Sequence, residues 1–221
     1  MTDKEYSTIT SHLLFEGFDR QETENALKIL NAKTALYNKD DLIHRRGDRM
    51  KSFIFVLSGR LIVCEDDIDG NRTIMAEVGQ GRSCGESLCF LQTPSPPVYI
   101  EASENNTEIL RLSPEGLYGG KESALKAELR RRFTADFAQR ALDMNNRIQI
   151  LSKNSIRAKL ITYFGFLSAK ANSNIFTLPL NRENTAVYIG ANRSAMCREL
   201  AKMKADGIID YYKNTVKLLK E

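Results

Sequence analysis

The sequence predicts an α+β protein: an N-terminal β-roll of jelly-roll type, one long helix, and a C-terminal winged helix-turn-helix. Three observations carry this. Short apolar or alternating runs, separated by glycine-bearing turns, recur from about Thr34 to Leu112. An apolar stripe with no Pro or Gly inside it runs from Lys121 to Leu151. Asn181 to Lys204, NRENTAVYIGANRSAMCRELAKMK, reads as two short capped helices around Gly190. The expected division is 1–120 for the β-roll, 121–152 for the long helix and 153–221 for the C-terminal domain.

The first residues, 1–30, read as an irregular start followed by a helix near Gln21 to Leu30, with Ala26, Leu27 and Leu30 apolar. His12 stands alone and reads as a surface or docking residue. The runs TALYN, LIH, SFIFVLS, RLIVCE, TIMAEV, VYIEAS and EILRLS then alternate with turn signals at Gly47-Asp48, Ser58-Gly59, Asp69-Gly70-Asn71 and Gly79-Gln80-Gly81. Strands at this spacing argue a sandwich, jelly roll or barrel. Phe53, Phe55, Leu57, Leu61 and Val63 are expected to fill its core, and Asp69-Gly70 is a hairpin signal.

Within this domain, Gly81 to Phe90, GRSCGESLCF, has two open readings. It is a ligand-binding stretch, where Gly85 allows close backbone approach and Glu86 accepts from a ligand hydroxyl. Or it is a strand-connecting loop whose Glu86 is satisfied by backbone N–H groups. On the first reading Arg82, Gly85, Glu86 and Ser87, with Arg132, form the effector pocket. Arg132 belongs to the run Arg130-Arg131-Arg132, ordinarily a solvated face, from which one arginine could meet an anion. Gln92 to Val98, QTPSPPV, is proline-stiffened and poor in backbone donors, so it makes a poor phosphate cradle.

Leu125, Leu129, Phe133, Phe137, Ala141, Met144, Ile148 and Leu151 recur at spacings of three and four. A helix of about 30 residues is ~45 Å long, longer than one small domain needs. Packing of its stripe against a second copy is the favoured reading; lying along its own β domain in a monomer is the alternative. Ser152 to Ser155 forms a short break before a helix at Ile156 to Ala171, with Asn154 to Arg157 as the expected hinge.

In the C-terminal domain Asn181 and Asn192 are good N-caps, and Gly190 tolerates the positive φ that ends a helix and turns the chain. Met196, Leu200 and Met203 form the inward side of the second helix. Its polar side opens with Arg193 and Ser194 and continues with Arg198. An arginine fork matches O6 and N7 of guanine in the major groove, although two arginines on a lone helix would mean only a solvated face. Gly207 to Asp210 and Asn214 to Leu218 read as a hairpin whose tip, Tyr212-Lys213-Asn214, would be a wing. Lys202, Lys204 and Lys213 are placed to meet phosphates. From Lys153 onward there are 12 Lys+Arg against 5 Asp+Glu, while the remainder has 20 against 23. A basic module on a mildly acidic remainder fits double-stranded DNA as partner.

The composition excludes other classes. No apolar run approaches the ~18 residues of a membrane span, and the start lacks a basic-then-apolar secretion signal. A cytoplasmic protein with no membrane partner is expected. Cys64, Cys84, Cys89 and Cys197 form no paired spacing, which argues against a structural zinc site or disulfide. With His12 and His44 alone there is no metal set of the cupin kind, and no G-x-S-x-G or Walker loop appears, so an enzyme is not expected.

Gly47-Asp48, Val56-Leu57-Ser58-Gly59, Gly85-Glu86, Ser155-Ile156-Arg157 and Ile189-Gly190-Ala191-Asn192-Arg193-Ser194, in this order across nearly the whole chain, resemble the Crp/Fnr family of bacterial transcription regulators. The resemblance implies a homodimer on a pseudo-palindromic operator, with RNA polymerase as a further partner and a small-molecule effector. It implies that Arg193 and Arg198 read bases, with Asn181, Asn192, Ser194, Lys202 and Lys213 around them. In the catabolite-activator branch the position of Ser194 holds a glutamate, so that branch's operator does not carry over. Cyclic-nucleotide-binding members grip the cyclic phosphate with an Arg-Ser pair about ten residues after Gly-Glu, where this chain has Pro96 and Pro97. That argues against cyclic AMP in the usual pose. The absence of cysteine before Cys64 argues against the N-terminal iron–sulfur cluster of the oxygen-sensing branch. The effector and any cofactor therefore stay unassigned. The alternatives are a haem or redox sensor of the same fold, or a cyclic-nucleotide-like module acting on a protein partner.

Overall fold

The structure, a computed structural model, describes residues 1–67, 69, 71–91 and 98–219. Its contacts divide the chain into two units, Met1–Asp136 and Phe137–Glu221.

In the first unit the N-terminus is helical where an irregular start was expected. Helix α1 spans Asp3–Thr10, with Thr2 and Glu5 forming a reciprocal capping box. A capping box satisfies two otherwise orphaned backbone donors. Only Thr8 and Ile9 of α1 are buried, so it shows little apolar periodicity. Helix α2, Arg20–Ile29, has its own capping box from Asp19 and Glu22.

Among the described residues eight strands follow: β1 (Lys33–Tyr37), β2 (Leu42–His44), β3 (Phe53–Ser58), β4 (Arg60–Asp66), β5 (Arg72–Gly79), β6 (Ser83–Cys84), β7 (Val98–Ala102) and β8 (Thr107–Leu112). They form two antiparallel four-stranded sheets, in the orders β1-β8-β3-β6 and β2-β7-β4-β5. Each expected run became a strand. The β4–β5 hairpin pairs as Asp69-Gly70 foretold, though Gly70 itself lies outside the described residues. So does Gln92 to Pro97 of the proline-stiffened stretch, with Pro96 and Pro97 in it.

Phe53, Phe55, Leu57 and Leu61 are buried as expected, but Val63 is only half-buried. The β4–β5 register shifts between Val63 and Cys64, which breaks the strand's alternation there. Strand β3 is buried at every position from Phe53 to Leu57. Phe55 meets His12 and Phe15 edge-on and Phe53 meets Phe133 edge-on at 5.6 Å, so this face packs on helical and N-terminal segments. Successive strand residues point to opposite faces, so Ile54 and Val56 serve the other side.

Between β6 and β7 lies the short helix α3, Glu86–Leu91, within the stretch that had two open readings, neither of them a helix. After a 3-10 turn at Pro114–Leu117 comes helix α4, Ala124–Leu151, slightly shorter than expected. Its two ends differ. Leu129 and Phe133 are buried in the first unit, whereas Met144, Ile148 and Leu151 are 63%, 58% and 41% exposed.

The second unit holds the end of α4, then α5 (Ile156–Ala171, capped by Ser155), β9 (Ile175–Thr177), α6 (Arg182–Tyr188), α7 (Arg193–Ala205), β10 (Ile209–Tyr212) and β11 (Thr215–Leu218). The last three-stranded sheet runs β10-β11-β9, all antiparallel. Ile150 of α4 is fully buried in one core with Leu160, Phe164, Ala186, Ile189, Met196, Leu200, Met203, Ile209 and Val216. The end of the long helix is thus part of this core.

Arg157, expected in a hinge, acts as a clamp within the unit. Its Nε lies 2.5 Å from Glu199 Oε1 and its Nη1 2.7 Å from Asp206 Oδ2, tying α5 to both the middle and the end of α7. A carboxylate on α7 and another at its C-cap explain why a residue just after the α4–α5 connection is fixed. Among the described residues no helix is long and apolar enough to cross a membrane, and no group of three His, Cys, Asp or Glu residues could hold a metal ion.

Candidate nucleic-acid interface

Helices α6 and α7 form the turn that the sequence outlined. Asn181 Oδ1 accepts from Asn184 N at 2.8 Å, and Asn192 Oδ1 accepts from Ser194 N at 2.9 Å and Ala195 N at 3.3 Å. Both oxygens are engaged in capping, which leaves each amide NH2 as the end able to donate outward. Gly190 has φ +62°, and a Cβ there would lie 2.9 Å from Leu151 Cδ2. Ala191 N donates to Ala186 O at 2.9 Å and closes the turn.

Met196, Leu200 and Met203 anchor α7 from below, each at most 2% exposed. That burial fixes which side faces out. Arg193, Ser194, Cys197, Arg198, Ala201 and Lys202 are all exposed. Arg193 and Arg198 are separated by ~7.5 Å of helix rise. The exposed face therefore offers two guanidinium forks with a hydroxyl beside the first. An isolated basic helix would leave its rotation undefined, whereas this one is held by its apolar side and by Arg157.

The wing is the β10–β11 hairpin. Its tip residue Lys213 has φ 50°, and its Nζ lies 5.6 Å from the Tyr212 ring centroid. Lys204, expected to meet phosphate, instead pairs with Asp210 at 2.6 Å and lies over the Tyr211 ring. Asp210 is the cause, and its carboxyl is held below its ordinary value first by Lys204.

Sequence reasoning missed Arg182. Its Nη2 donates to Lys213 O at 2.6 Å and its guanidinium lies over Tyr211, so it ties the start of α6 to the wing tip. Its buried Nη1 has no hydrogen-bond partner among the described residues. The available signal was its place directly after the Asn181 cap. Cys197 was also passed over, although it lies on the exposed face between Ser194 and Arg198.

The residues expected to make an effector pocket have different surroundings. Gly85 has φ +88°, and a Cβ there would lie 2.3 Å from Met50 Sδ, so the close approach at Gly85 is to a protein side chain. Glu86 is 3% exposed, and its carboxylate accepts from the Ser83 hydroxyl. Ser83 Oγ lies 2.9 Å from His12 Nε2. His12 is thus a half-buried residue docked on this turn, the second of the two roles expected for it. Neither open reading anticipated that a side-chain hydroxyl would take Glu86.

Arg82 and Ser87 are exposed. Arg132 is turned to structural use. Its Nε donates to Glu128 Oε1 at 2.7 Å, its Nη1 donates to Glu16 O at 2.6 Å, and its guanidinium covers Phe18 at 4.1 Å. Hydrogen bonds from Arg131 and then Arg132 bring the Glu128 carboxyl down to about 2. The Glu16 carbonyl comes from the connection after α1, an element the sequence pattern did not foretell.

Comparison with known proteins agrees with this architecture. Residues 35–119 match the cyclic nucleotide-binding domain, and residues 158–221 match the Crp-like helix-turn-helix domain. The CRP-like protein Clp of Xanthomonas campestris pv. campestris is 22% identical over 183 residues, which cover 80% of this chain and 79% of Clp. The crystal structure of the Thermus thermophilus catabolite activator protein is similar with a TM-score of 0.52 and 22% identity, covering 93% of each chain. That of DNR from Pseudomonas aeruginosa is similar with a TM-score of 0.52 and 18% identity, covering 100% of this chain and 96% of DNR. At these identities the structures show a shared fold. The two matched domains, in this order along one chain, place it in the Crp/Fnr family of DNA-binding transcription regulators, which are not enzymes.

Proposed function

We propose that the protein regulates transcription as a homodimer in the cytoplasm, each α7 entering a major groove of a pseudo-palindromic operator. Arg193 and Arg198 read bases, with Ser194 between them. Asn181 and Asn192 donate through their amide NH2 groups, and Lys202 and Lys213 meet phosphates. Arg182 supports them indirectly, since it holds the wing tip through Lys213 O and Tyr211. The observation that carries this reading is the exposed α7 face, held in one orientation by Met196, Leu200, Met203 and the Arg157 clamp.

Dimerisation is supported by the end of α4, where Met144, Ile148 and Leu151 stay exposed at spacings of four and three. Such a stripe suits a parallel helix pair, which would set two α7 helices about one DNA turn apart. The first unit is the sensor, and its effector shifts the DNA-binding equilibrium only through unequal affinity for two arrangements. RNA polymerase is the expected downstream partner. Sedimentation of the full chain, with and without a selected operator duplex, tests the assembly: a dimer on one duplex supports it, and a monomer on a single half-site overturns it.

A further inference from the structure

Away from α7 and from the Gly85–Glu86 turn, the β2–β3 connection reads His44-Arg45-Arg46-Gly47-Asp48-Arg49-Met50-Lys51. It borders a cleft of about 320 Å³ whose lining includes Arg45, Arg49, Lys51 and Arg111, with Asp48 as the opposing carboxylate among its described residues. Arg111 comes from β8 and is fixed, its Nη2 donating to Tyr37 Oη and Ile43 O at 2.9 Å each. Arg45, Arg49 and Lys51 are exposed and take no part in the ion pairs of the described residues. His44 is 8% exposed, and burial lowers its pKa, with Arg111 adding to that and Asp48 opposing it. It therefore serves as a neutral wall at pH 7.

Four cations face one carboxylate in a concavity built by a loop and a strand. Uncompensated like charges in a cleft focus a positive potential and attract an anion. The volume is at the small end of ligand sites, ~300–1,000 Å³. Among the described residues its lining holds no Phe, Tyr or Trp on which a base could stack. We propose that this cleft binds a compact polyphosphate, recognised through two or more phosphate groups. A concave, two-sided arrangement fits such a ligand better than the extended face an acidic polypeptide requires. Met50 links the site to the sensor turn, since it both lines the cleft and packs on Gly85.

Titration calorimetry of the full chain with inorganic pyrophosphate, at constant ionic strength, tests this. Two double variants separate the cleft from the DNA-binding face: Arg49→Gln with Lys51→Gln, and Arg193→Gln with Arg198→Gln. The expected result is saturable binding that the first pair weakens by about tenfold or more, with the second pair unchanged. Equal melting temperatures show that the variants fold. Binding unaffected by the first pair, or lost with the second, overturns the proposal. So does orthophosphate binding as tightly as pyrophosphate, or a Glu-rich peptide binding the cleft where pyrophosphate does not.

Discussion

The outward face of α7 and the turn at Gly85–Glu86 were both singled out from residue types, yet their polar groups meet opposite fates. On α7 the arginines stay exposed because Met196, Leu200 and Met203 take the inward side. At the Gly85–Glu86 turn the carboxylate takes the Ser83 hydroxyl, which His12 meets in turn, and Arg132 is bound by carbonyls after α1. The lesson is one of range. The α7 face follows from apolar neighbours three and four residues apart, whereas the groups at the turn add remote partners to near ones: His12 reaches Ser83, and Arg132 takes Glu16 O as well as Glu128.

This contrast can be broken experimentally. Arg132→Ala is expected to have the largest effect, a stability loss on the order of 3 kcal/mol, because several charge-assisted hydrogen bonds go together. Its melting temperature should fall while the bases preferred by the folded protein do not change. Altered base preference would mean that Arg132 acts on DNA reading. Arg193→Ala or Arg198→Ala should do the reverse, costing ~1–3 kcal/mol of operator affinity with no change in melting temperature.

Lys202→Gln should weaken binding evenly across sequences and reduce the salt slope by about one. A loss confined to one operator position would make it a base reader. The smallest effect on DNA binding is expected from Lys204→Ala, since Asp210 and Tyr211 already engage that ammonium; a clear fall in affinity would show that the pair opens on DNA.

Thiol chemistry sharpens the same comparison. Burial first, and then Glu86, pushes the Cys89 thiol up to about 12. A raised thiol pKa keeps the group neutral, so its alkylation should stay slow up to about pH 10. Cys197 on the exposed face should react at once, and a bound operator should shield it. Rapid Cys89 labelling at pH 8 would show that the region around α3 opens.

Much of the fold was legible because its signals are local. Every expected strand appeared, and both Asn caps and the Gly190 turn lie where the sequence put them. Helix α1 was not legible, since Thr2 and Glu5 start it without an apolar stripe. The role of Arg157 was hidden for a related reason: its carboxylate partners lie 42 and 49 residues further along the chain. The long helix lies on its own β domain at Leu129 and Phe133 and leaves Met144, Ile148 and Leu151 exposed, a split that the continuous stripe did not reveal.

The most direct test of the central claim is operator selection from a randomised duplex library, using the wild-type chain and the Arg193→Ala and Arg198→Ala variants in parallel. If the two arginines of α7 read bases, each variant loses preference at one position per half-site and keeps the rest. Uniform weakening at every position, with the wild-type preferences intact, would contradict base reading and reduce both arginines to phosphate contacts.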